Sequence, residues 1–199
     1  SGRYILERGI RREDIEGISK GWGIMERNVR LMRSLALDML TYSRPQKPEY
    51  RPSDINQICT AVVELLSQKA KDKDVDISLK LQPDLGQVIL DPKGIHRCIL
   101  NLVSNAIDAC DKPESIVIIA VSASEKDNYF ELSVSDNGCG IDEKEVKNVF
   151  KVFFSTKGSK GTGLGLAITQ KIISEHGGDI RVESEIGVGT KFTVTLPLY

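Results

Sequence analysis

The chain has 199 residues, 40% of them apolar and 28% charged, which is ordinary for a globular protein and enough for one good-sized domain plus a smaller element. Its 27 basic and 28 acidic side chains nearly cancel, so no basic excess points to a nucleic-acid partner. No apolar run is long enough to span a bilayer or serve as a signal peptide, and membrane contact within these residues is not expected.

Residues 12–43 carry Ile15, Ile18, Trp22, Met25, Val29, Met32, Ala36 and Met39 at alternating spacings of three and four. That seam, widened by Leu31, Leu35 and Tyr42, predicts a long helix in a coiled coil or four-helix bundle and hence a homodimer through it. Arg3 to Arg8, closed by Gly9, reads as the end of a preceding antiparallel helix, so residues 1–44 are expected to be part of a helical hairpin. Gly17, Gly21 and Gly23 each cost a helix about 1 kcal/mol relative to alanine, and a kink is expected there. The run R-P-Q-K-P-E-Y-R-P from Arg44 to Pro52 cannot continue a helix and predicts a linker over 45–52, followed by a second domain over 53–199.

Within that domain Ser53 is the expected N-cap of a helix to about Lys71, with Ile55, Ile58, Val62, Leu65 and Leu66 on its buried face. Strands are predicted at Val75–Leu81 and Gln87–Leu90, then a helix from Pro92 to about Cys110. Two longer strands, Ser115–Ser124 and Tyr129–Ser135, precede a glycine-rich loop. A helix from about Gly163 to His176 and strands at Gly178–Glu185 and Gly189–Pro197 complete the chain. Three helices with a mixed sheet give an α+β fold, a two-layer α/β sandwich. The four cysteines, Cys59, Cys98, Cys110 and Cys139, lack C-x-x-C spacing, so buried thiols in a reducing, cytosolic compartment are expected rather than a zinc site.

The chemistry is concentrated between Asp136 and Leu166, where D-N-G-C-G-I and F-F-S-T-K-G-S-K-G-T-G-L-G-L flank an acidic and aromatic run. Glycines that let backbone approach a ligand, with Lys157 and Lys160 beside them and an apolar helix following, suggest a phosphate cradle with a mobile cover. It is not a P-loop, because Lys160 precedes Gly161 and the helix opens Gly163-Leu164-Gly165. The dinucleotide fingerprint fails at Leu166, and a protein-kinase glycine loop belongs between early strands.

On the helix from Pro92, Ile95, Ile99, Leu102, Ala106 and Ala109 form a core face, while Arg97, Asn101, Asn105, Asp108 and Lys112 line the opposite side. Asparagine is a poor helix former; two of them one turn apart are either a solvated face or a ligand set, an amide oxygen being a hard donor suited to Mg²⁺. In the strand ending at Asp136 the apolar positions Phe130, Leu132 and Val134 share its parity, and in the last strand Thr190 shares that of Phe192, Val194 and Leu196. An inward carboxylate needs donors. A ligand amino group would supply them, and a structural network between Asp136 and Thr190 is the alternative.

These motifs resemble the ATP-binding catalytic domain of sensor histidine kinases, whose Bergerat-type fold is shared with gyrase-type ATPases, over about Ser53 to Leu198. The asparagine box reads H-R-C-I-L-N-L-V-S-N-A-I-D-A (96–109) and the first glycine box D-N-G-C-G (136–140). The phenylalanine box reads F-K-V-F-F-S-T-K (150–157) and the second glycine box G-T-G-L-G-L (161–166). The resemblance implies that Asn105 holds Mg²⁺, that Asp136 accepts the adenine amino hydrogen with Thr190 beside it, and that Lys157 contacts the terminal phosphates. Gly161, Thr162, Gly163, Leu164 and Gly165 would wrap the triphosphate, with Asp108, Gly138, Gly140 and Phe150 completing the nucleotide site. Asn101 and Lys157 are the expected catalytic residues. Related ATPases that act as conformational switches carry a glutamate at the place of Asn101 to activate water; an amide there favours the kinase over that alternative.

The helix ending D-M-L-T-Y-S-R resembles the second helix of the kinase dimerisation hairpin. The phosphoacceptor histidine of the family sits on the first helix, yet the chain has no histidine before His96, and His176 reads as a helix C-cap. The expectation is therefore a catalytic core that passes the γ-phosphoryl group to a histidine helix outside this chain, with a response-regulator receiver domain as partner. On this reading Ser1-Gly2 is a remnant at a cut, and the chain is expected in the cytoplasm, either free or as the cytoplasmic part of a membrane-bound sensor.

Overall fold

The computed structural model describes residues 2–43, 47–83, 85–124, 128–155 and 161–198. Helix α1 (Gly2–Arg11) packs antiparallel against helix α2 (Ile15–Ser43) across a tight turn, where the Asp14 carboxylate accepts a hydrogen bond from Gly17 N at 3.0 Å. The glycines that would weaken an isolated helix set the separation of this pair. A Cβ at Gly9 would lie 2.7 Å from Ile18 N, and one at Gly21 would lie 2.5 Å from Leu6 N. Gly9 is thus inside α1 rather than at its end, and α2 runs unbroken through Gly17, Gly21 and Gly23. Residues 44–46 of the expected linker, and the side chain of Tyr42, lie outside the described residues.

The end of the expected linker is a strand. β1 (Arg51–Ser53) pairs antiparallel with β3 (Val88–Leu90), and Pro52 is tolerated because this small sheet has only edge strands. The cap of α3 (Ile55–Lys71) is accordingly Asp54, not Ser53: its backbone is extended and its carboxylate accepts from Asn56 N at 2.8 Å and Gln57 N at 3.2 Å. Upstream of β1, Tyr50 donates its hydroxyl to Glu175 O at 2.8 Å.

The main sheet has the order β2-β4-β5-β7-β6, from β2 (Val75–Leu81), β4 (Ser115–Ser124), β5 (Tyr129–Asp136), β6 (Asp179–Glu185) and β7 (Gly189–Pro197). β2 and β4 are parallel and the other neighbours antiparallel, so the sheet is mixed. Helices α3, α4 (Pro92–Ala109) and α6 (Gly165–Glu175) cover one face. Their apolar sides meet Val117, Ile119, Val121, Phe130, Leu132, Val134, Phe192, Val194 and Leu196 in one continuous core. Period-two burial in β5 and β7 follows the sequence parity. A one-turn helix that the sequence reading lacked, α5 (Glu143–Val146), is capped by Asp142, which accepts from Lys144 N at 2.8 Å.

His176 ends α6 and is buried. Its Nδ1 donates to Ile172 O at 2.7 Å while Nε2 accepts from Asp91 N at 3.0 Å, which fixes the neutral tautomer and ties α6 to the start of α4. The Tyr50 ring meets it edge-on at 5.3 Å. Three of the cysteines, Cys59, Cys98 and Cys110, are buried, and burial pushes the first two thiols up to about 12. Cys139 departs from expectation: it is exposed, because the loop after β5 carries it to the surface. Among the described residues no helix is long and apolar enough to cross a membrane.

Candidate functional site

A cavity of about 690 Å³ opens between α4, the ends of β5 and β7, and the segment that leads into α6. Its first wall is the polar face of α4, which contributes Arg97, Asn101, Asn105 and Asp108. Asn101 Nδ2 donates to Thr169 Oγ1 at 3.0 Å, and that hydroxyl donates to Gly165 O at 3.0 Å. A Cβ at Gly165 would collide with the Asn101 carboxamide, so only glycine lets the first turn of α6 come this close to α4. Asn105 Nδ2 reaches Asn101 Oδ1 at 3.5 Å, the outer limit of a hydrogen bond. Asp108 is paired with Lys69 Nζ of α3 at 2.8 Å.

The second wall is Gly161, Thr162, Gly163 and Gly165. Gly163 has φ +65°, and a Cβ there would lie 2.5 Å from the Phe153 carbonyl carbon; Phe153 N donates to Gly163 O at 2.9 Å. The N-terminal N–H groups of α6 follow directly and lack a side-chain cap, an arrangement suited to an anion.

The third wall is the strand-end pair. Asp136 and Thr190 are direct partners across β5 and β7. The Asp136 carboxylate accepts from Gly138 N at 2.9 Å and from the backbone N–H of Thr190. Burial pushes the Asp136 carboxyl above its ordinary range, and those two N–H donors pull it partly back. The Thr190 hydroxyl pairs with Ser184 Oγ at 2.8 Å rather than with Asp136. Because Ser184 Oγ donates to Gly189 O at 3.0 Å, Thr190 is the donor of that pair and keeps its lone pairs as acceptors. Asn137 locks the loop: Oδ1 accepts from Ile116 N at 2.8 Å and Nδ2 donates to Glu114 O at 3.0 Å.

The structure brings Asn101, Asn105, Asp108, Asp136, Gly140, Gly161, Thr162, Gly163, Gly165 and Thr190 to one cavity. Three expected residues stand behind it. Gly138 packs against Ala109 O, Leu164 is 1% exposed in the core, and Phe150 stacks edge-on with Phe192 at 6.3 Å. Lys157 and Lys160 lie outside the described residues. The sequence reading did not assign Thr169, a single hydroxyl in an apolar run whose only signal is its spacing of four from Gly165. Nor did it assign Leu31, which α2 brings to the cavity from another part of the chain.

An α+β sandwich with an acidic strand end, an asparagine face and a glycine-lined helix N-terminus around one cavity defines an ATP-binding domain. The chain belongs to the family described as histidine kinase-, DNA gyrase B- and HSP90-like ATPase, which matches residues 90–199. It is 34% identical over 175 residues to the sensor histidine kinase ZraS of Klebsiella oxytoca, covering 88% of this chain and 37% of that protein. Among solved structures it is similar to full-length ShkA in complex with AMPPNP, with a TM-score of 0.76 and 25% identity over 94% of this chain and 38% of that one. It is also similar to histidine kinase ThkA in complex with the response regulator TrrA, with a TM-score of 0.80 and 25% identity over all of this chain and 58% of that one. The chain spans little more than a third, or less, of the curated relatives it matches.

Proposed function

We propose that this chain is the catalytic core of a two-component histidine kinase. It binds ATP with Mg²⁺ and transfers the γ-phosphoryl group to a histidine on a dimerisation helix outside these residues, for relay to a response-regulator aspartate. The observation that carries the reading is the junction of Asn101, Thr169 and Gly165, which sets the N-terminus of α6 against the asparagine face of α4. Asp136 would accept the adenine amino hydrogens at the far end of the cavity, with the Thr190 hydroxyl oxygen beside it. Gly161, Thr162, Gly163 and the N–H groups of α6 would hold the phosphates.

The donor set fits Mg²⁺ that keeps most of its waters: Asn105 offers a neutral amide oxygen, and no cluster of three metal-ligating side chains exists among the described residues. Mg²⁺, when bound, neutralises charge on the phosphates. The protein positions the rest. The histidine nitrogen forms the new bond to phosphorus as the bond to the β–γ bridging oxygen breaks, and ADP leaves with the electron pair. Asn101 orients the reacting end, and Lys157 would contact the terminal phosphates. An amide at 101 cannot take a proton from water as a carboxylate at that position would, which favours transfer over hydrolysis.

In this reading residues 1–44 belong to the dimerisation hairpin, 45–52 to a linker and 53–199 to the ATP-binding domain. The homodimer would form through α2, where Trp22, Val29 and Met32 are 61%, 58% and 61% exposed in the single chain. The ThkA–TrrA complex supports a receiver domain as partner. The test incubates the chain with labelled ATP and a protein bearing the acceptor helix. Acid-labile, alkali-stable label on that protein is expected; inorganic phosphate without transfer would establish the ATPase alternative. His176 should stay unlabelled, since both its nitrogens are engaged in the core.

A further inference from the structure

The asparagine wall of the cavity carries a carboxylate on the same side as a proposed anionic ligand. Asp108 lines the cavity next to Ser104 and Asn105, and an uncompensated negative charge there would repel a triphosphate. Lys69 reaches over from α3. Its ammonium stands 2.8 Å from Asp108 Oδ1 and donates to Ser104 Oγ at 2.7 Å and to Ser104 O at 3.1 Å. Three N–H groups meet three acceptors spread over one turn of α4, which holds the ammonium in one place. Asn105 is on that same turn.

Lys73, one turn further along α3, donates to Ile107 O at 3.2 Å and Asp108 O at 3.1 Å, and lies 3.8 Å from the same carboxylate oxygen. Its N–H groups therefore serve the C-terminal carbonyls of α4 first, where a cation also opposes the helix dipole. Of the two lysines, Lys69 stands nearer the Asp108 carboxylate. Both side chains of the Lys69–Asp108 pair are about one-third exposed, at 34% and 32%, so solvent screens them only in part.

We propose that Lys69 is a positioning residue for the nucleotide. It cancels the Asp108 charge on the cavity wall and pins the turn that presents Asn105, so that the phosphates meet a neutral face. The inference rests on the ATP reading above, and no residue of α3 lines the cavity itself. Its signature is a dependence on ligand charge, which a purely structural staple between α3 and α4 would not produce.

The test titrates the chain, Lys69→Met and Lys69→Arg with adenosine, ADP and Mg·ATP by calorimetry, at low and high salt. Lys69→Met should weaken ATP roughly threefold to tenfold at low salt, ADP less and adenosine not at all, with the difference shrinking as salt rises. Lys69→Arg should retain ATP, because a cation is kept beside Asp108. Equal loss across the three ligands or unchanged ATP affinity in Lys69→Met would overturn the proposal. If the unaltered chain binds none of the three ligands, the ATP reading itself fails. If it binds ATP and Lys69→Met matches it, only the role of Lys69 falls.

Discussion

The sandwich and the hairpin solve the burial problem in opposite ways. In the sandwich each apolar face finds its cover within the chain: Phe130, Ile119 and Leu102 are at most 1% exposed, and three helices close one side of the sheet. In the hairpin α1 and α2 meet through glycines, and the seam beyond that contact stays open, with Ile15 81% and Trp22 61% exposed. Close backbone contact between two helices buries little side-chain area, so a two-helix unit has no core of its own. The difference teaches that the sandwich draws its stability from within the chain, whereas the hairpin, on the proposed dimer, would draw its own from a second copy.

The sharpest way to break the contrast is to charge the seam. Val29→Glu/Met32→Glu should convert the dimer to monomers while leaving thermal unfolding of the sandwich unchanged, as measured by light scattering and calorimetry. A dimer that persists in the double variant would place the interface elsewhere. A second comparison pairs two aromatic truncations. Phe130→Ala should cost the sandwich about 3–5 kcal/mol, whereas Trp22→Ala should leave its unfolding free energy untouched and weaken only self-association. Denaturant titrations at several protein concentrations separate the two; equal effects on the sandwich would deny that the regions are independent.

Inside the sandwich a smaller contrast distinguishes groups satisfied by the fold from Asp136, which we propose meets the ligand. Asp136→Asn keeps shape and a carbonyl acceptor but loses charge, and should cost about 1.5–3 kcal/mol of ATP affinity by calorimetry while relaxing rejection of GTP. The pH dependence has a definite sign. Burial raises the Asp136 carboxyl, so in the free protein its contribution to stability is present below its unfolded-state pKa and is lost as pH rises through the folded one. On the proposed function, nucleotide binding would need the ionised form and run the other way: affinity should fall as pH drops through the raised value, at a higher pH than for an ordinary carboxylate. Asp136→Asn should abolish that acid limb, and a mutant with wild-type affinity or an unchanged limb would make the carboxylate structural.

The smallest effect sharpens the glycine argument. A Cβ at Gly23 would meet only Arg27 Nη1 at 3.6 Å, so Gly23→Ala should stabilise α2 by about 0.5–1 kcal/mol. Gly21→Ala should destabilise the hairpin, since its Cβ would lie 2.5 Å from Leu6 N. Circular dichroism melts decide it: gain at both positions would mean the two helices are not held by that contact.

Much of this was written in local sequence. Period two in Phe130–Asp136 and Thr190–Leu196 fixed which side chains face inward, because alternation in a strand is a property of the backbone, and the four motif boxes pointed to the site proposed for ATP. The ends of α3, α4 and α6 were legible to within one or two residues; Asp54 in place of Ser53 as cap turned on β1 pairing with β3, a contact 37 residues away in the chain. What only the tertiary structure decided are the relations between segments. Sequence can name Asp136 and Thr190 as inward polar residues, but their direct register comes from β7 inserting between β5 and β6. It can place Asp108 on a polar face, but not show Lys69 across from it. It reads Gly9 as a helix end and Gly21 as a helix weakness, whereas packing makes them the contact between α1 and α2. Local periodicity specifies direction; pairing, register and charge neutralisation arise between residues far apart in the chain, where the free energy of the whole packed arrangement chooses the partners.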